Sequence, residues 1–163
     1  MGSGKSHLAP LLAERLNFTP FDLDDVIVEA ERQSVSKLIS ESEMYFRKLE
    51  LAYCKQILNS NSNLVLALGG GAFCQAELRE LILSNSKNIV IYLSLSNEEF
   101  DNRMEVIKIN RPLLQAFGAQ YKEKAKALYQ SRKGAYQNAH LHLDSHSSLD
   151  DILKQIEEHG ALR

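Results

Sequence analysis

No uninterrupted apolar run in this sequence approaches the ~20 residues that a membrane-spanning helix needs. The N-terminus has no charged stretch followed by an apolar one and a cleavage site, so no secretory leader is expected. Cysteine is scarce. Cys54 and Cys74 form neither a CxxC nor any metal-ligand spacing, and read as two free thiols of a cytoplasmic protein. No charge of one sign dominates: 19 Lys and Arg stand against 21 Asp and Glu, for a net charge of −2 and a pI near 6.2. That balance gives no whole-chain electrostatic reason to expect a nucleic acid or an anionic membrane as partner. There is also no repeat, no low-complexity tract and no linker. The 163 residues therefore read as one domain with a full hydrophobic core, 44% hydrophobic and 25% charged.

What is present alternates between helical and strand-like periodicity, the pattern of βα units around a parallel sheet. A helix is expected from Lys5 to Leu16, with Leu8, Leu11, Leu12 and Leu16 at helical spacing. A short strand, Thr19–Leu23, precedes a second helix from Asp24 to about Arg32. A long helix should open at Ser40, whose spacing to Glu43 is that of a capping box, and bury Phe46, Leu49, Tyr53 and Ile57. Leu64–Leu68 is apolar without alternation, which suits a strand covered on both faces. Helix Ala76–Ser84 leads to a second buried strand, Ile89–Leu93, and a Ser96/Glu99 capping box opens a helix to about Met104. Residues 105–118, with Pro112 and Gly118, read as a mobile lid. A charged helix, Gln120 to about Arg132, an edge strand at His140–Leu143 and a helix from about Ser148 complete the chain. His140 and His142 share a strand face but have no visible third ligand, and read as a solvated edge rather than a metal site.

The strongest local signal is Gly2-Ser3-Gly4-Lys5-Ser6 running straight into a helix. Backbone N–H groups of such a loop, with a helix N-terminus behind them, form an anion site. Lys5 can reach β- and γ-phosphates and the Ser6 hydroxyl can sit on Mg²⁺. The full pattern, G-x-x-x-x-G-K-[ST], places its first glycine ahead of Met1, together with the strand that feeds the loop. A buried strand contributes ~1.5–3 kcal/mol per apolar side chain, and its loss would rival a domain's whole ~5–15 kcal/mol of stability. The expectation is an upstream segment beyond this sequence.

Five further features carry chemistry. Asp22-Leu23-Asp24 falls at a strand's C-terminal end, where ligands bind in open α/β sheets. Spaced by one residue on an extended backbone, the two carboxylates project to one side. Asp22 can hold a Mg²⁺-bound water and Asp24 a substrate hydroxyl; equally, Asp24 can simply cap the next helix. Arg47 follows the core-facing Phe46, where a surface salt bridge is the plain alternative. Gly69-Gly70-Gly71 ends a buried strand, and glycine lets a ligand approach the backbone closely. Arg111, before Pro112-Leu113-Leu114, lies in the lid and can fold over a phosphate. Arg132 ends the charged helix with a fork that matches a carboxylate.

Taken in order, these motifs resemble the shikimate kinase family over essentially the whole chain. The family's GxGK[ST] loop, Asp-x-Asp, GExxFRxxE, GGG turn, RPLL lid and R-x-P-x-Y correspond to Gly2–Ser6, Asp22–Asp24, Ser42–Glu50, Gly69–Gly71, Arg111–Leu114 and Arg132–Tyr136. Ser42 stands where the family has glycine, and Gly134 where it has proline. The resemblance implies a three-layer αβα P-loop kinase fold with a parallel sheet, its first strand missing from this chain. It implies transfer of the γ-phosphoryl group of ATP to the 3-hydroxyl of shikimate, with Mg²⁺, in chorismate and aromatic amino acid biosynthesis. Gly2, Ser3, Gly4, Lys5, Ser6 and His7 would cradle ATP, Arg103 would lie near adenine, and Arg111 would close over the phosphates. Ser6 and Asp22 would hold the metal. Asp24, Arg47, Gly69, Gly70, Gly71 and Arg132 would bind shikimate, and Lys5, Asp22, Asp24 and Arg111 would serve catalysis. A cytoplasmic monomer is expected. The other readings are a different P-loop kinase, such as a gluconate kinase, which would not need the Asp-x-Asp, Phe-Arg and Gly-Gly-Gly set, and a weakly active or non-catalytic relative.

Overall fold

The computed structural model describes residues 2–96, 98–103 and 118–160. Along the chain, helix α1 (Lys5–Leu16) leads to strand β1 (Thr19–Asp22) and helix α2 (Leu23–Glu31). Helix α3 (Val35–Ser60) and strand β2 (Leu64–Ala67) follow. A 3₁₀ turn (Ala72–Cys74), helix α4 (Ala76–Leu83) and strand β3 (Ile91–Ser94) come next. Residues 98–103 form helix α5. A second 3₁₀ turn (Gly118–Gln120), helix α6 (Tyr121–Tyr136), strand β4 (Leu141–Asp144) and helix α7 (Leu149–Glu158) complete the order.

Strand β1 pairs in parallel with β2, Asp22 opposite Ala67, and β3 pairs in parallel with β4, Ser94 opposite Asp144. Side chains alternate across these strands, as the two-residue period requires. Leu64 and Leu66 of β2 pack with Leu23, Ile27, Phe46, Cys54, Ile57 and Leu78, from α2, α3 and α4. Val65, between them, packs instead with Leu12, Ile152 and Ile156, from α1 and α7. β3 repeats this: Ile91 and Leu93 face α1 and α7, while Tyr92 stacks on Tyr136 of α6 at 4.7 Å between ring centroids. Helices thus cover both faces of the strands, which gives the three-layer αβα arrangement expected from the sequence.

Among the described residues no hydrogen-bonded pairing joins β2 to β3. An apolar cleft lies there, lined by Leu68, Phe73, Val90, Ile91 and Leu93, and by Ser3 and Lys5 of the glycine-rich loop.

Several local expectations need correction. The long helix begins at Val35 rather than Ser40, with Ser34 accepting from the Lys37 amide at 3.3 Å. It breaks at Ser42 (φ −164°, ψ 109°), whose hydroxyl accepts from the Tyr45 amide at 3.2 Å and starts the helix anew. Ser40 donates to the Lys37 carbonyl instead, so the Ser40/Glu43 box does not form. Either serine satisfies a cap by composition, and backbone geometry chooses between them. The fully buried stripe of α3 beyond the break is Phe46, Glu50, Cys54 and Ile57, and the expected Leu49 and Tyr53 pack against the same core while half-buried. Helix α6 extends one turn past Arg132, to Tyr136, and Gly118 sits in a 3₁₀ turn rather than in the lid. The Ser96/Glu99 box closes reciprocally, at 2.8 and 3.2 Å, and Ser148 caps α7 through the Asp151 amide at 3.1 Å.

Candidate active site

The site gathers at the C-terminal ends of β1 and β2 and at the N-terminus of α1. Gly4 caps α1 at φ 87°, ψ 12°, a left-handed conformation that glycine adopts without a steric penalty. That turn points the first-turn amides at Lys5 and Ser6 away from the helix body, where they carry the positive end of its dipole. Lys5 Nζ lies 3.3 Å from Ser3 Oγ, and Ser3 is buried. The Ser6 hydroxyl donates to Asp22 Oδ2 at 2.8 Å, bringing a hydroxyl and a carboxylate oxygen side by side. Two such hard oxygen donors at a phosphate loop suit Mg²⁺.

Asp22 does two things at once. Its other oxygen, Oδ1, accepts from the Asp24 amide at 3.0 Å and so caps α2. The cap anticipated for Asp24 belongs to Asp22. The pair straddles a strand–helix junction rather than one extended run, and Asp24, freed from capping, turns its Oδ1 toward Gly69: a methyl there would meet that oxygen at 2.8 Å.

Arg47 is gripped from two sides. Glu50 accepts from Nη1 at 2.7 Å, Glu43 accepts from Nη2 at 2.8 Å, and the guanidinium lies 5.6 Å from the centre of the Phe46 ring. The predicted alternative, a surface ion pair, describes only the Glu43 half, because Glu50 is 1% exposed. Burial pushes the Glu50 carboxyl above its ordinary value, and the hydrogen bond from Arg47 opposes that rise. Across the pocket, Tyr136 Oη donates to the Gly70 carbonyl at 2.5 Å, and burial raises its hydroxyl to about 12. Arg132, one turn earlier on α6, acts electrostatically on the same tyrosine and on Glu50. Asp24 and Arg47 therefore meet at the glycine turn, with the charge of Arg132 within electrostatic reach of Glu50.

On the opposite side of the loop, Arg103 Nη1 donates to the Gly2 carbonyl at 2.7 Å and Nη2 to Ser145 Oγ at 3.3 Å. With Gly4, His7 and Asp144 it lines a second cavity. Arg111 lies outside the described residues. Sequence reasoning gave no role to Glu50, Gln75 or Tyr136. The place of Glu50 midway between Phe46 and Cys54, at the four-residue spacing of one helix face, is the signal that could have found it. Gln75 offered none.

The shikimate kinase family profile matches residues 1–159. A shikimate kinase from Prochlorococcus marinus (strain NATL2A) is 34% identical over 161 residues, covering 98% of this chain and 78% of the relative. The solved shikimate kinase from Acinetobacter baumannii, in complex with shikimate, superposes with a TM-score of 0.85 at 31% identity, over 98% of this chain and 90% of that one. The shikimate kinase of Aquifex aeolicus gives 0.75 at 26% identity, over 98% and 90%. These matches make the chain a member of the shikimate kinase family.

Proposed function

We propose that this protein transfers the γ-phosphoryl group of ATP to the 3-hydroxyl of shikimate, giving shikimate 3-phosphate and ADP. The observation that carries the reading is the convergence of Asp24, Arg47, Gly69–Gly71 and Arg132 beside the Ser6–Asp22 pair and Lys5. Phosphoryl transfer asks for positioning and charge neutralisation more than covalent chemistry. The amides of Gly2 to His7 hold the phosphate chain, and Lys5 offsets charge on the transferred group. Ser6 and Asp22 would hold Mg²⁺, which when bound neutralises phosphate charge. Asp24 orients the attacking hydroxyl, while Arg47 and Arg132 take the carboxylate of the acceptor. Arg103 supports the nucleotide side through Gly2. Arg111 closes over the phosphates, a role that rests on its place in the sequence.

A coupled ADP-release assay tests this, with mass spectrometry of the product. We expect ADP release that depends on shikimate and not on gluconate, and addition of one phosphate to shikimate. ADP release of equal rate with gluconate, or none with shikimate, overturns the reading. We take the protein to be a cytoplasmic monomer with no nucleic acid or membrane partner, a reading that rests on the sequence; light scattering in solution checks the monomer.

Gly71 yields a sharper prediction. Its backbone, φ −104° and ψ −19°, admits any residue, yet a methyl there would sit 2.7 Å from both Nη1 and Nη2 of Arg47. The guanidinium is the far end of a flexible side chain, so it yields rather than the backbone. We expect Gly71→Ala to keep its melting temperature and to bind shikimate about tenfold more weakly, the scale of one hydrogen bond to a charged group. Calorimetric titration with shikimate and a thermal melt, read together, decide it.

A further inference from the structure

We propose that Gln75 is a positioning residue for the acceptor side of this reaction: its side-chain amide clamps the buried Glu50 carboxylate and thereby holds the Arg47 guanidinium beside Gly71. The inference rests on the function proposed above. Gln75 occupies the N-cap position of α4, yet its side chain makes no capping hydrogen bond. Its Nε2 instead donates to Glu50 Oε2 at 2.7 Å, across 25 residues of chain. Arg47 Nη1 donates to that same oxygen at 2.7 Å. Only the amide nitrogen can face a carboxylate oxygen, which fixes the orientation of the Gln75 amide. The second oxygen of Glu50, Oε1, faces Gly69 beside Asp24 Oδ1. One carboxylate therefore ties three segments together: α3 through Arg47, the start of α4 through Gln75, and the glycine turn.

The groups facing Glu50 come from every packed element: Arg47 and Cys54 from α3, Asp24 from α2, Arg132 from α6 and Gln75 from the start of α4. Asp24 opposes its ionisation, and the two arginines favour it. A buried carboxylate that loses a donor is held less well in its charged form. Without the Gln75 amide, Glu50 takes a proton at higher pH, and a neutral Glu50 no longer draws Arg47 into place. Burial already pushes Glu50 in that direction.

The test uses Gln75→Ala and Gln75→Glu in steady-state kinetics across pH, with thermal melts to confirm that both variants fold; Gln75 is half-buried. In Gln75→Ala we expect the KM for shikimate to rise about tenfold, the KM for ATP to stay within about twofold, and the acid limb of kcat/KM for shikimate to move to higher pH. Gln75→Glu sets a second carboxylate against Glu50. Its defect should be larger at mildly alkaline pH and shrink on acidification, as the pair comes to share a proton. An unchanged shikimate KM in both variants overturns the proposal. So does an equal rise for both substrates with an unmoved acid limb, the mark of a merely structural role. Failure of the underlying function shows separately, as absence of shikimate-dependent ADP release by the unaltered protein.

Discussion

Lys5→Ala should lower kcat about a thousandfold while leaving shikimate binding near its original strength. The lysine follows the left-handed Gly4 and stands at the first position of α1, where the helix dipole and loop amides already favour anions. Its partner Ser3 Oγ, at 3.3 Å, is buried, so the ammonium works in a poorly hydrated setting where charge counts for more. Removing one neutral donor from a preorganised anion site costs about 10²–10³ in rate; a full positive charge belongs at the upper end. Lys5→Arg should not rescue, because a planar fork does not replace a compact ammonium in a tight backbone cradle. Single-turnover kinetics at saturating ATP decide the matter, with calorimetric titration of shikimate as the control. Turnover within tenfold of the unaltered protein would place Lys5 away from the transferred group.

The second large effect separates two arginines that the sequence treats alike. Arg132→Ala should weaken shikimate binding about a hundredfold, the scale of a lost bidentate charged contact, with little change in stability. Arg47→Ala should weaken binding comparably and also cost about 3 kcal/mol of stability, because it leaves the buried Glu50 with the neutral Gln75 amide but without its charged partner. That stability loss should depend on pH. The carboxyl of Glu50 sits above its unfolded value, and without Arg47 it rises further. The native state then binds a proton that the unfolded state does not, so stability falls as pH rises through the folded value. Acidification toward the ordinary carboxylate range should restore the variant relative to the unaltered protein. Denaturant melts of both variants at several pH values provide the measurement. A pH-independent deficit in Arg47→Ala would mean that Glu50 finds another partner.

Much of the scaffold was legible because its causes are local. A capping box needs two residues three apart, and the Ser96/Glu99 box forms as read. The helix after the loop follows from periodicity and a glycine. Where two local signals competed, the sequence could not choose. Ser40 and Ser42 both offer caps, and the break at Ser42 took the second. Asp22 and Asp24 both offer caps to α2; because Asp22 takes that task, Asp24 is released to face Gly69. On α3 the expected face does meet the core, but the fully buried line runs through Glu50 and Cys54 beside it, because a charged Glu50 hides the apolar period there.

The sequence by itself determined the phosphate loop, the layered α/β architecture and the inventory of acids, arginines and glycines, since each depends on residues within a few positions of one another. The tertiary structure decided how they meet. It made Arg47 a half-buried strut held between Glu43 and Glu50. It also set Gln75 on Glu50 across 25 residues and Tyr136 on Gly70 across 66. Such contacts arise only when strands bring distant helix ends together, and no periodicity along the chain encodes them.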